Sequence, residues 1–129
     1  MPGFCMPRRD DLWLADIVES GRRVAKWLTG VTNERWDDDE VLQSAVAYQI
    51  QAIGEAASAL SDEVKAQMPD VPWRSIRGFR NIIVHQYFAV DWTTVRDTAE
   101  VAVPHLVSQV VAFLQEHDAG VLDRLNWSD

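Results

Sequence analysis

Val41-Leu42-Gln43-Ser44-Ala45-Val46-Ala47-Tyr48-Gln49-Ile50-Gln51-Ala52-Ile53-Gly54-Glu55-Ala56-Ala57-Ser58-Ala59-Leu60 is the stretch on which the fold turns. Val41, Leu42, Ala45, Val46, Ile50, Ile53, Ala57 and Leu60 recur at spacings of three and four, the period of one face of an α-helix. Asp37-Asp38-Asp39-Glu40 opens this helix, where acids suit the positive end of its dipole. Consecutive acids on a helix point in different directions, so they read as a cap and a solvated turn rather than as metal ligands. A second stripe, Ala52, Ala56 and Ala59, is small enough to admit another helix closely. Glu55 lies beside it, an acid at a helix contact.

The same period extends to both sides. Upstream, Asp10 or Asp11 can cap a helix to about Leu28 that aligns Leu14, Ile17 or Val18, Val24 or Ala25, and Leu28, and Gly30 stops it. Downstream, Ser61-Asp62-Glu63 caps a short turn ending near Met68. Pro69-Asp70-Val71-Pro72 is a break, because each proline removes a donor and restricts the residue before it. Pro72 suits the first position of a further helix, from Trp73 to about His85, carrying Trp73, Ile76, Phe79 and Ile83. The β-branched triplet Ile82-Ile83-Val84 has no alternating partner elsewhere and is kept in that helix. Asp91-Trp92 starts a last helix with Trp92, Val95, Ala99, Ala102, Leu106, Val110 and Phe113 or Leu114 inside, and a kink is expected at Pro104. These elements predict an all-α, compact bundle of about four long helices plus a short one, over residues 8–116, with residues 117–129 as a loosely held tail.

Length and composition agree with one domain: 129 residues, 47% hydrophobic and 25% charged, with six Trp. No apolar run approaches the roughly 20 residues of a membrane helix. One cysteine, Cys5, no internal disulfide and no secretory pattern at the N-terminus point to the cytoplasm. The net charge of −8 argues against extensive, tight nucleic-acid binding. Between Trp73 and Arg96, however, four Arg (74, 77, 80 and 96) face one acid, Asp91, a local positive focus able to receive a few phosphates.

That focus contains Arg80-Asn81-Ile82-Ile83-Val84-His85-Gln86-Tyr87. On a helix Asn81 and His85 stack on one face, so the amide can orient the imidazole. Arg80 and His85 are about 140° apart around the axis, and the long Arg side chain reaches across. The cluster offers a base that titrates near neutral pH, a permanent cation, an amide and a phenol. With no Cys or Ser nucleophile beside it and no second His at metal spacing, it suits acid/base chemistry on an anionic substrate. RNA cleavage fits: a base takes the ribose 2′-OH proton, an Arg stabilises charge at phosphorus, and an acid protonates the leaving 5′-oxygen. One His per chain leaves one proton-transfer role unfilled, so a symmetric dimer bringing two His85 together completes the set.

Arg80-x-x-x-x-His85-x-Tyr87 resembles the motif of the HEPN superfamily, specifically the HepT-like toxins of bacterial and archaeal toxin–antitoxin pairs. Asp16-Ile17, Ile53-Gly54-Glu55-Ala56, Pro72-Trp73-Arg74-Ser75-Ile76-Arg77-Gly78-Phe79-Arg80-Asn81 and Tyr87-Phe88-Ala89-Val90-Asp91 share the likeness, which covers roughly residues 8 to 116. The family often has Met where this chain has Phe79, a conservative change. The resemblance implies an HEPN-like helical fold and a metal-independent endoribonuclease needing no cofactor, with Arg80 and His85 as the catalytic pair and Asn81 as a positioning group. It implies that Tyr87 is the site at which a partner nucleotidyltransferase, the antitoxin, attaches an adenylyl group. It also implies a homodimer whose two motifs share a cleft. Arg74 and Arg77 are candidate phosphate contacts, and Glu55 is a candidate structural partner of a motif Arg. The superfamily also has non-catalytic members, so a nucleotide- or protein-binding module is the alternative.

Overall fold

The computed structural model describes residues 4–7, 9–82 and 90–128, and among them there are helices and turns but no strand. The all-α expectation is met. Within the predicted motif, Ile83, Val84, His85 and Tyr87 lie outside the described residues.

Three rods form the frame. Helix α1 is Asp10–Leu28, α3 is Glu40–Ala59, and the third rod runs from α6 (Trp92–Asp97) into α7 (Val103–His117). The start of α1 meets the end of α3, where the buried Asp10 carboxylate accepts from the Ser61 backbone N–H at 3.1 Å. The two rods are therefore antiparallel, and α7 also runs against α1, with Phe4 edge-on to Phe113. Asp10 thus ties two helix ends together, while Arg9 occupies the cap position without a side-chain cap bond. Gly30 closes α1 with φ +73°, a left-handed conformation that glycine adopts without steric cost.

The apolar period of α3 is realised as a buried stripe of Leu42, Val46, Ile50, Ile53, Ala57 and Leu60. Val41 departs from the expected stripe: it is 81% exposed, because one residue before Leu42 it is turned about 100° away. The acidic run is divided rather than continuous. A short helix not foreseen, α2 (Asn33–Asp38), ends within it, and Asp39 caps α3 by accepting from the Leu42 N–H at 2.9 Å. Helix α2 buries Trp36, whose indole N–H donates to the Trp92 carbonyl at 3.1 Å while its ring packs edge-on against that of Trp92. Gln43 on α3 holds α2 in place by donating to the Trp36 carbonyl at 2.9 Å.

Ser61 caps α4 (Asp62–Gln67) as expected, and the Trp73 indole N–H anchors the next segment on the Lys65 and Met68 carbonyls. Pro72 stands at the cap position, one residue before the helix begins. Of the helix expected over 73–85, the described residues are α over Trp73–Arg77 (α5), after which Gly78–Asn81 tightens into a 3-10 turn. Near Pro104 the expected kink takes the form of a π turn over Thr98–Ala102. The reason is local: Pro104 has no N–H, and its ring crowds the carbonyl four residues back, at Glu100, so a widened turn relieves both. The residues expected to form a loose tail include α8 (Ala119–Arg124), which buries Val121 and Leu122 in the core. Arg22 lies over the Trp127 ring. No described helix is long and apolar enough to cross a membrane.

Candidate functional site

The segment from Trp73 to Ile82 has two sides. Ile76 is buried, and Trp73, Phe79 and Ile82 pack against the core. Arg74, Arg77, Arg80 and Asn81 are exposed on the other side. Three residues make one turn of 3-10 helix, so Arg77 and Arg80 lie nearly in line, with Arg74 less than a full α-turn before them. None of the three Arg has an ion pair within 4.0 Å among the described residues. A row of cations without carboxylate partners, in a chain of net charge −8, is an electrostatic focus for anions.

What holds this row is Gly54. An ideal Cβ built there would collide with the Arg80 backbone nitrogen and lie 3.1 Å from both the carbonyl carbon and the Cβ of Phe79. The motif backbone thus rests directly on α3 at the one residue with no side chain. The alanine stripe was expected to provide such a close approach, but Ala59 is exposed and the contact falls at Gly54. Sequence offered a signal for this: a glycine in the middle of a twenty-residue helix costs about 1 kcal/mol relative to alanine. Glu55, the next residue, is exposed and makes no ion pair among the described residues, with a motif Arg or otherwise. The structure therefore brings Glu55 and the Arg80 backbone to adjacent points of α3. His85 and Tyr87 lie outside the described residues, so the stacking of Asn81 and His85 expected on one helix face does not enter this geometry.

Beside Glu55 a cleft opens between α1 and α3, with a volume of about 490 Å³. Trp13, Asp16, Ser20 and Arg23 line it from α1, and Tyr48, Gln49 and Glu55 from α3. Sequence reading passed over Gln49 and Ser20, because their burial depends on two helices lying side by side. Burial pushes the Asp16 carboxyl above its ordinary value, and the Arg23 guanidinium only partly offsets this. A carboxyl raised in the folded state contributes stability that is full below the unfolded value of 3.8 and lost as pH rises through the raised folded value. Asp16→Asn should therefore stabilise the fold at pH 7 and leave it unchanged near pH 3. The gain should stay below ~1 kcal/mol, because the carboxylate is largely solvated. Urea melts at the two pH values check the sign, and an equal gain at both would show that the charge is not responsible.

Residues 17–113 match the family model described as "Ribonuclease HepT-like". The chain is similar to "Putative RNase TTE0752" of Caldanaerobacter subterraneus subsp. tengcongensis, 30% identical over 104 residues, 81% of this chain and 93% of the relative. It is likewise similar to "Probable ribonuclease HepT" of Thermococcus cleftensis, 30% identical over 96 residues, 71% of this chain and 87% of the relative. "Putative RNase MJ1216" of Methanocaldococcus jannaschii is 27% identical over 112 residues, 86% of this chain and 93% of the relative. No solved structure matches the chain.

Proposed function

The chain belongs to the HepT-like ribonuclease family, and we propose that it is the toxin of a toxin–antitoxin pair, a cytoplasmic, metal-independent endoribonuclease that works as a homodimer. The observation that carries the reading is the exposed row of Arg74, Arg77 and Arg80, free of carboxylate partners among the described residues and leading into His85. Arg74 and Arg77 receive flanking phosphates. Arg80 stabilises the scissile one. His85 of one protomer takes the 2′-OH proton, and the freed oxygen attacks phosphorus. The bond from phosphorus to the 5′-oxygen breaks, and a second His85, across the dimer, protonates that leaving oxygen. The products are a 2′,3′-cyclic phosphate and a free 5′-hydroxyl, and no proton or electron is left over. Asn81 orients the imidazole. Tyr87 is the point of control, where an adenylyl group from the nucleotidyltransferase antitoxin adds bulk and negative charge beside the phosphate site.

The purified protein with a short labelled RNA in EDTA tests this. Fragments ending in 2′,3′-cyclic phosphate are the expected result, and intact RNA under these conditions, with the chain folded and dimeric, overturns the nuclease reading. One observation favours a second reading: the net charge of −8 suits a non-catalytic nucleotide- or protein-binding module. Nucleotide-induced thermal stabilisation without turnover is its signature.

A further inference from the structure

The cleft between α1 and α3 has features that the cleaving motif does not use. Gln49 is 8% exposed and Ser20 5%, both line the cleft, and neither side chain has a hydrogen-bond partner among the described residues. A mostly buried glutamine amide facing an open cleft presents a donor and an acceptor side by side. Trp13 and Tyr48 add aromatic surface from opposite helices, and Tyr48 is 65% exposed. The charges are two carboxylates, Asp16 and Glu55, and one guanidinium, Arg23, which also lies 3.7 Å from Glu19. Such a cleft rejects a phosphate. It accepts a flat, uncharged ring that can stack on an aromatic face and donate N–H groups to oxygen. Its volume of about 490 Å³ is of the right order for a nucleoside. The cleft reaches Glu55, the residue after Gly54, on which the Arg80 backbone rests, so cleft and motif backbone meet α3 about 100° apart around its axis.

We propose that this cleft is a nucleobase subsite, which holds a base of the RNA strand that runs around α3 from the phosphate bound at Arg80. The identity of the ligand rests on the ribonuclease reading above. The ring stacks on Tyr48 or Trp13, the Gln49 amide and Ser20 hydroxyl meet its edge, and a base amino group donates to Asp16 or Glu55. Glutamine pairs in two places with adenine, and carboxylates accept from the amino group of cytosine, so amino-bearing bases are preferred over uracil.

The test uses Tyr48→Ala, which truncates an exposed side chain, and Gln49→Leu, which keeps volume and removes the amide. Cleavage is measured on short RNAs that differ only in the base flanking the cut. Binding is measured by anisotropy on the same oligonucleotides with 2′-deoxyribose at the cut, which bind without reacting. The wild type should prefer amino-bearing bases over uracil by about tenfold, and Gln49→Leu should flatten that preference. Tyr48→Ala should raise both KM and Kd about tenfold, as expected for a lost base stack, with kcat little changed. Cleavage that is indifferent to the flanking base and to both variants overturns the subsite. So does a loss of dimer in the variants with no change in oligonucleotide binding, which would make the cleft an interface between copies. If the wild type cleaves nothing but its oligonucleotide binding still depends on Tyr48 and Gln49, the nuclease reading fails and the subsite stands. If it neither cleaves nor binds, both fail.

Discussion

His85→Ala should lower RNA cleavage by roughly 10²–10⁴-fold, the usual contribution of a positioned acid/base group. In the proposed dimer each cut uses two imidazoles, so a heterodimer of wild-type and mutant chains should lose nearly as much as the homozygous mutant. A chain in which one His did all the work would keep half. Arg80→Ala should cost a comparable factor. Its side chain is exposed and makes no ion pair among the described residues, so the loss should come with an unchanged far-UV spectrum and melting temperature. Arg80→Lys keeps the charge but loses the planar fork that grips two phosphate oxygens, and should recover only part of the rate. Equal RNA decay by wild type and His85→Ala would remove the catalytic assignment.

Much of the frame was legible because it depends on local pattern. The three- and four-residue period of α3 places Leu42, Val46, Ile50 and Ile53 in the core whatever surrounds them. Asp39, Ser61 and Asp91 read as helix starts because short side chains with oxygen acceptors satisfy the first free N–H groups, as they do here at Leu42, Val64 and Thr94. Helix α2 escaped because six residues are too few to show a period, and Trp36 earns its burial from partners on α3 and α6. The π turn escaped for another reason: proline signals that a ladder must break but not how the break is absorbed. In the site, residue types were readable and placement was not. Arg80 and Asn81 follow from a motif, whereas the cleft of Ser20 and Gln49 exists only once α1 lies along α3. How closely the 3-10 turn of Gly78–Asn81 meets α3 likewise shows only once the two are packed.

Gly54→Ala is where that meeting can be tested. Helix propensity alone makes the substitution favourable by about 1 kcal/mol, since alanine is the better residue mid-helix. The contact opposes this. A methyl at residue 54 meets the backbone of Phe79 and Arg80, which cannot rotate aside as the end of a side chain could. Overpacking of this kind costs about 1–3 kcal/mol, so a net loss of stability is expected despite the better propensity. The effect on cleavage should be larger than the effect on folding. To admit the methyl, the turn bearing Arg80 must lift off α3, and a misplacement of about 1 Å at a reacting group costs roughly 10²-fold in rate. Gly78→Ala is the matched control in the same segment: nothing lies within 4 Å of its ideal Cβ, and its φ of −63° suits any residue. That variant should be neutral or more stable by about 0.4–1 kcal/mol, with cleavage unchanged. Rates measured well below both melting temperatures separate the two effects. Were Gly54→Ala to keep full kcat there, the motif arginine would not depend on its seat on α3.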